Sequence, residues 1–241
     1  MMNICELKDR VLFALSVPKC VCCKERLSYG EKAFCHVCSA EFHEKSMRNC
    51  ANCSRVLSEC SCSTSYLSSH FIKRVIKCFR YSNSGELAPG NALVFSLKRD
   101  NRQDVLTVAA DILEGAIRNS IPDTDGYIFT NVPRRKRAIL EYGMDHSALL
   151  AAELADRFGA KYIRILKSNA KVPQKSLEIN ERLKNADFTI IKDIDLSQKR
   201  VIVVDDIITS GASMASAAML IRSLSCKNIT AATLAIAYKD S

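Results

Sequence analysis

The sequence predicts an α/β fold: a mostly parallel sheet flanked by helices, preceded by a small cysteine-rich module. Three observations predict it. From about residue 66 onward, β-branched runs alternate with segments of helical spacing. Nine of the twelve cysteines fall between Cys20 and Cys62. The length of 241 residues suits one sizeable α/β domain plus an appendage. The boundary is set at this change of composition, giving a module over 1–65 and a larger domain over 66–241.

Leu7 to Val17 reads as a short amphipathic helix stopped by Pro18. Cys20 to Cys62 holds knuckles and turns too small to bury a core unaided. His70 to Tyr81 reads as a strand, with Phe71, Lys73, Val75, Lys77 and Phe79 set against Ile72, Arg74, Ile76, Cys78 and Arg80. Leu87 to Leu97 reads as a short helix. Val105 to Ile117 has helical spacing through Val108, Ala109, Ile112 and Leu113. Tyr127 to Val132 is a compact strand ended by Pro133. Ser147 to Phe158 is a helix with Leu149, Leu150, Leu154 and Phe158 facing inward and Gly159 as its stop. Tyr162 to Leu166 reads as another strand. Lys167 to Leu183 is polar and aperiodic, a mobile loop leading into a hairpin. Lys199 to Val204 is a buried strand, Ser213 to Leu224 a helix, and Ile229 to Ala237 the last strand.

Composition narrows the class. An apolar share of 48% is that of a folded chain. The net charge of +9 and pI near 9.0 fit polyanionic partners, or simply a solvated basic surface. The amino terminus mixes acidic and basic residues, and its apolar run from Val11 to Val17 is short and lacks a small-residue cleavage site. No stretch is long enough to span a bilayer. The expectation is a cytoplasmic protein, without membrane insertion, whose thiols stay reduced.

Reduced, clustered cysteines read as metal ligands. Cys20 and Cys23, then Cys35 and Cys38, are two C-x-x-C knuckles with the spacing of a zinc ribbon; each presents two thiolates, and two knuckles complete a tetrahedron. Cys50 and Cys53 with Cys60 and Cys62 make a second set, giving one or two structural zinc ions. Cys22 is an alternative to Cys20, and disulfides or a redox pair are the competing chemistry. His36 and His43 read as solvated loop residues, Cys78 and Cys226 as core.

The most informative stretch is Val201-Ile202-Val203-Val204-Asp205-Asp206-Ile207-Ile208-Thr209-Ser210-Gly211-Ala212-Ser213. A β-branched strand carries two carboxylates at its carboxyl end, where open α/β sheets bind ligands. A short hydroxyl- and glycine-bearing loop then opens directly into a helix. A helix amino terminus offers unpaired N–H groups and partial positive charge to a phosphate. Gly211 allows close backbone approach, and Thr209, Ser210 and Ser213 add donors. Asp205 and Asp206 can accept hydrogen bonds from vicinal ribose hydroxyls. Together these residues describe a receptor for a sugar phosphate. A strand end with one capping Asp and a capping Ser explains only part of the pattern. Neither Gly-Lys-Ser/Thr nor Gly-x-Gly-x-x-Gly is present.

These thirteen residues resemble the phosphoribosyl pyrophosphate signature of type I phosphoribosyltransferases. The resemblance implies that fold, ribose contacts from Asp205 and Asp206, and a phosphate loop of Thr209, Ser210, Gly211, Ala212 and Ser213. Three further stretches are similar to the ComF branch of that family: Phe95 to Asp100; Val132 to Arg135 with Tyr142 to His146; and Pro173, Gln174, Leu177, Arg182, Asn185, Ala186 and Phe188. ComF proteins usually carry Arg-Gly-Phe-Asn-Gln where this chain has Tyr142-Gly143-Met144-Asp145-His146, so no catalytic role is carried onto that segment. The resemblance also implies an amino-terminal double zinc ribbon.

Two functions follow. In the first, the chain binds phosphoribosyl pyrophosphate or a ribose 5-phosphate-like ligand with magnesium. It transfers the phosphoribosyl group, with Lys98, Arg134 and Arg135 on the pyrophosphate side, where cations stabilise a departing anion. No residue stands out as a general base. In the second, the same fold is a non-catalytic module that senses such a ligand or binds single-stranded DNA. The resemblance implies a link to DNA uptake and natural transformation, with DNA-uptake proteins as partners. Arg74, Lys77, Arg80, Lys98, Arg99 and Arg102 are then candidate phosphate contacts.

Overall fold

The computed structural model describes residues 17–81, 88–123, 125–169 and 188–237. The helix expected from Leu7 to Val17, the loop from Lys167 to Leu183 beyond residue 169, and the stretch from Pro173 to Ala186 therefore lie outside the described residues.

Five parallel strands form the central sheet in the order β1-β7-β6-β2-β3. They are β1 (Arg74–Tyr81), β2 (Tyr127–Asn131), β3 (Lys161–Tyr162), β6 (Arg200–Ile208) and β7 (Asn228–Ala237). Near-continuous Val, Ile, Ala and Leu in β6 and β7 are what a sheet covered on both faces requires, and both strands are buried almost throughout. A separate antiparallel pair, β4 (Leu166–Ser168) with β5 (Phe188–Ile190), stands beside this sheet. The single strand expected over Tyr162–Leu166 is thus two short strands in different sheets.

Helices α1 (His36–Ser46), α2 (Ser65–Ser69), α3 (Pro89–Arg99), α4 (Gln103–Ser120), α5 (Lys136–Tyr142), α6 (His146–Arg157) and α7 (Ala212–Ser223) surround the sheet. On one face α3, α4 and α6 bury Leu93, Leu113, Ile117, Leu150 and Leu154 against Phe129, Ile202 and Val204. On the other, α7 buries Met214, Ala218 and Ile221 against Val201, Val203 and Ala231. Leu149, expected inward, is exposed; Ala151 and Ala155 take the inner positions with Leu150 and Leu154.

The cysteine-rich segment is docked on this core. Phe42 meets Phe79 of β1 edge-on at 5.3 Å between ring centres. The Ala33 N–H donates to Asp104 Oδ2 at 3.0 Å, and Arg102 Nη1 donates to the Lys19 carbonyl at 2.7 Å. Strand β1 begins four residues later than expected. His70 caps α2, and Phe71 has φ +68°, a left-handed turn that extended pairing cannot include.

Candidate functional site

Strand β6 runs on through both acids to Ile208, four residues past its expected end. Adjacent side chains on a strand point to opposite faces, and Asp205 and Asp206 are parted accordingly. Asp206 is buried and faces two cations: Lys98 Nζ at 3.2 Å from Oδ1, and Arg134, whose Nη2 donates to Oδ2. Arg134 is fixed in turn by His146, whose Nδ1 lies 3.3 Å from Arg134 Nη1 and whose Nε2 lies 2.9 Å from Asn101 Oδ1. Burial, and then the charge of Arg134, lower the pKa of His146 below its ordinary value. A neutral ring with its proton on Nε2 satisfies both contacts.

Asp205 points instead toward two adjoining cavities. Ser147 Oγ donates to its Oδ1 at 3.0 Å, and the Asp206 N–H donates to the same oxygen at 2.9 Å. Enclosure, and then the neighbouring Asp206 charge, push the Asp205 carboxyl up to about 7; Lys98 and Ser147 pull the other way without prevailing.

The first cavity, about 50 Å³, is cupped by Asp205 and the loop Thr209, Ser210, Gly211, Ala212 and Ser213 at the amino terminus of α7. Gly211 caps that helix at φ +79°, a conformation glycine adopts without a steric cost. A Cβ there would lie 3.0 Å from Leu67 Cδ2, so α2 packs directly beneath the loop. The second cavity, about 170 Å³, joins Asp205 and Ser213 to Arg134, Arg135, Ser168 and Phe188. All ten candidate residues of the phosphate, ribose and pyrophosphate sets thus lie around this carboxyl edge of the sheet.

Sequence reasoning missed Ser147, Ser168 and the positioning role of His146. Ser168 is buried on β4, and its hydroxyl has no hydrogen-bond partner among the described residues. A lone serine in a short strand carries no periodic signal. Lys77 and Arg102 are corrections to the set of possible DNA contacts. Lys77 is enclosed in the interior, and Arg102 is paired with Asp104 at 2.6 Å.

The cysteines gather into two groups, Cys20, Cys23, Cys35 and Cys38, and Cys50, Cys53, Cys60 and Cys62, with all sulfurs of a group within 4.8 Å of one another. Cys22, His36 and His43 stand outside both. The two leading knuckles have one backbone design. The Lys24 and Ser54 N–H groups return to the Cys20 and Cys50 carbonyls at 3.1 and 2.9 Å, and both residues are left-handed. Sulfur separations of 3.7 Å (Cys23 to Cys35) and 3.5 Å (Cys53 to Cys60) match the edge of a tetrahedron with about 2.3 Å metal–sulfur bonds, roughly 3.8 Å. Burial opposes ionisation of Cys20. The N–H groups of Cys35, Cys23 and Cys22 overcome it and bring that thiol down to about 7. Burial, then the neighbouring thiols, push Cys38 up; the Cys53 thiol, then burial, pushes Cys62 up to about 12. Four sulfurs so close ionise together only around a cation, which is the donor set a zinc ion takes.

Residues 144–240 match the family model described as the phosphoribosyl transferase domain. The matched region is less than half of the chain; with the five-stranded parallel sheet it supports a type I-like phosphoribosyltransferase fold and the phosphoribosyltransferase enzyme class. Among solved structures it is similar to a purine phosphoribosyltransferase from Pyrococcus horikoshii, at 21% identity and TM-score 0.36 over 54% of this chain and 71% of that one. It is also similar to a hypoxanthine phosphoribosyltransferase from Staphylococcus aureus in two crystal forms. Both are 12% identical over 63% of this chain, with TM-scores of 0.32 and 0.35 and coverage of 69% and 76% of those chains. At these scores no residue role passes from them to this chain. No curated protein matches it. No helix among the described residues is long and apolar enough to cross a membrane.

Proposed function

We propose that this chain binds phosphoribosyl pyrophosphate at the carboxyl edge of its sheet and transfers the phosphoribosyl group to a base-like or amine nucleophile, releasing pyrophosphate. The observation that carries the reading is Asp205 lining both adjoining cavities, one walled by the α7 loop and the other by Arg134 and Arg135. The loop takes the 5′-phosphate through its amides and hydroxyls. Asp205 takes a ribose hydroxyl. Lys98 and Arg134, which hold Asp206 in the free protein, exchange that carboxylate for pyrophosphate oxygens and leave Asp206 to the second hydroxyl. Catalysis rests on positioning and charge, with no general base from the protein. Magnesium bound with the pyrophosphate would add countercharge to the leaving group beside Lys98, Arg134 and Arg135.

The ComF resemblance supports a cytoplasmic role in handling single-stranded DNA during uptake, and the charge of +9 suits it. Zinc in the two cysteine groups is structural in this reading. A second reading, a non-catalytic DNA-holding or ligand-sensing module, draws on exposed basic residues such as Arg74 and Arg99.

Titration calorimetry with phosphoribosyl pyrophosphate and magnesium separates the two. Binding by the native chain, lost in the Asp205→Asn, Asp206→Asn double variant and accompanied by acceptor-dependent pyrophosphate release, supports transfer. Absence of binding by the native chain sinks it. Salt-sensitive DNA retention that survives the double change supports the second reading.

A further inference from the structure

A broad concavity lies at the other end of the molecule. It has a volume of about 650 Å³ and lies where β1, β2, β6 and β7 begin, at the amino-terminal edge of the sheet. Nine residues of β6 separate it from the phosphate loop, roughly 25 Å of strand. It belongs neither to the phosphoribosyl site nor to the cysteine groups.

Five cations line it: Lys73, Arg74, Arg200, Arg222 and Lys227. Among the described residues no carboxylate does. Lys73, Arg74, Arg222 and Lys227 form no ion pair among the described residues, and only Arg200 is partly neutralised, through Asp123 at 3.4 Å. Converging cations around a concave wall repel one another, and a bound anion relieves that repulsion.

Two of the cations also sit over aromatic rings. The Arg222 guanidinium lies 4.0 Å above the Phe71 ring, and the Arg200 guanidinium 4.5 Å above Tyr127. A guanidinium placed over an aromatic ring is a surface on which a planar group such as a nucleobase can stack. Phe71 is brought there by its left-handed turn after α2.

From this we propose that the cleft is a second ligand site, for a nucleoside polyphosphate: several phosphates among Lys73, Arg74, Arg222 and Lys227, and the base against the stacked arginines. A compact polyphosphate fits better than an extended strand, because the cations face one basin within the size range of small-molecule pockets. This inference does not depend on the phosphoribosyl reading.

The test titrates labelled ATP into the full chain, in parallel with a single-stranded oligothymidylate, using the native protein, an Arg222→Ala, Lys227→Ala variant and the Asp205→Asn variant. All replaced cleft side chains are exposed, so circular dichroism should show the fold unchanged. Saturable ATP binding that weakens roughly tenfold or more in the cleft variant, falls with salt and is unmoved in Asp205→Asn supports the proposal. ATP binding lost in Asp205→Asn and kept in the cleft variant overturns it by placing the nucleotide at the phosphate loop. No ATP binding, or oligonucleotide alone binding at the cleft, overturns it as well.

Discussion

The ammonium of Lys77 lies 3.2 Å from the sulfur of Cys60, in the interior of the protein and 1% exposed. It also donates to the Cys62 carbonyl at 2.9 Å and to the Val75 carbonyl at 3.3 Å. A buried charge is tolerated only when paired and hydrogen-bonded. Four thiolates around a divalent cation carry a net charge of −2, and Lys77 offsets part of it. Lys77 thus ties the central sheet to the second cysteine group, beside the Cys62–Arg74 bridge and the Val75 N–H donating to the Ser61 carbonyl at 3.1 Å.

Replacing Lys77 with Met should keep the volume and remove the charge. Metal should then leave the Cys50, Cys53, Cys60 and Cys62 group roughly tenfold or more faster under a chromophoric chelator, while the other group releases unchanged, since outer-sphere partners commonly govern affinity on that scale. Equal release from both groups would show that Lys77 serves packing alone.

Full chelation should loosen the cysteine-rich segment before the sheet, because its chain outside the two clusters contributes few buried side chains. Phe34, Phe42 and Leu57 are among those few. Limited proteolysis with and without chelator reads this as early cuts between residues 20 and 62, with β6 and β7 protected. Simultaneous loss of both regions would mean that the docked interface, through Phe42 and Phe79, makes them one cooperative unit.

Gly211→Ala should cost about 1–2 kcal/mol from its left-handed backbone alone, with more from the approach to Leu67. The loop sits on that contact, so loss of phosphoribosyl pyrophosphate affinity should exceed what the fall in melting temperature explains. Leu67→Ala is itself costly, because Leu67 is fully buried, but it should cost less in the Gly211→Ala background than in the native chain, since the truncated side chain no longer crowds the added methyl. Strict additivity of the two changes would assign the whole Gly211→Ala cost to the backbone.

How much of this was legible in the sequence depended on what each segment buries. α4 and α7 were readable because their apolar residues repeat with the helical period, and β6 and β7 because they are near-continuous apolar runs. Helix α5 was not: it buries no residue, so no inward-facing apolar stripe announces it, and only Gly143 at φ +80° marks its end. Helix α2 is five residues long, and its one local signal is Thr64, whose hydroxyl accepts from the Leu67 N–H at 3.2 Å. The composition of the site was visible in Asp205 to Ser213. Its division was not, because the strand continued past its expected end and turned the two acids to opposite faces. Lys77 shows the same limit, since its long stem and charge read as surface until the cysteine group is seen closing over it.

Arg134→Met should destabilise the protein by about 1–3 kcal/mol, below the usual loss for breaking a buried pair because Lys98 still faces Asp206. Combining it with Asp206→Asn should cost less than the sum of the single changes, since the second removes the carboxylate that the first leaves underpaired. Urea denaturation of the four proteins measures the coupling. Strict additivity would mean that Arg134 and Asp206 are neighbours without mutual dependence.

Asp205 titrates near 7 in the folded protein and near 3.8 when unfolded. Below pH 3.8 both states hold the proton, and the group does not oppose folding. Between 3.8 and about 7 the folded chain keeps a proton that the unfolded chain has lost, so stability declines as pH rises, by at most about 1.4 kcal/mol per unit from this group. Above 7 the decline stops. Asp205→Asn removes the titration and can still accept from Ser147 through its amide oxygen. The melting temperature of this variant should therefore gain on that of the native chain between pH 5 and 7, and the gap should hold steady from 7 to 8. Parallel curves across that range would mean that Lys98 and Ser147 already keep Asp205 ionised, and that its enclosure in the free protein is weaker than its surroundings imply.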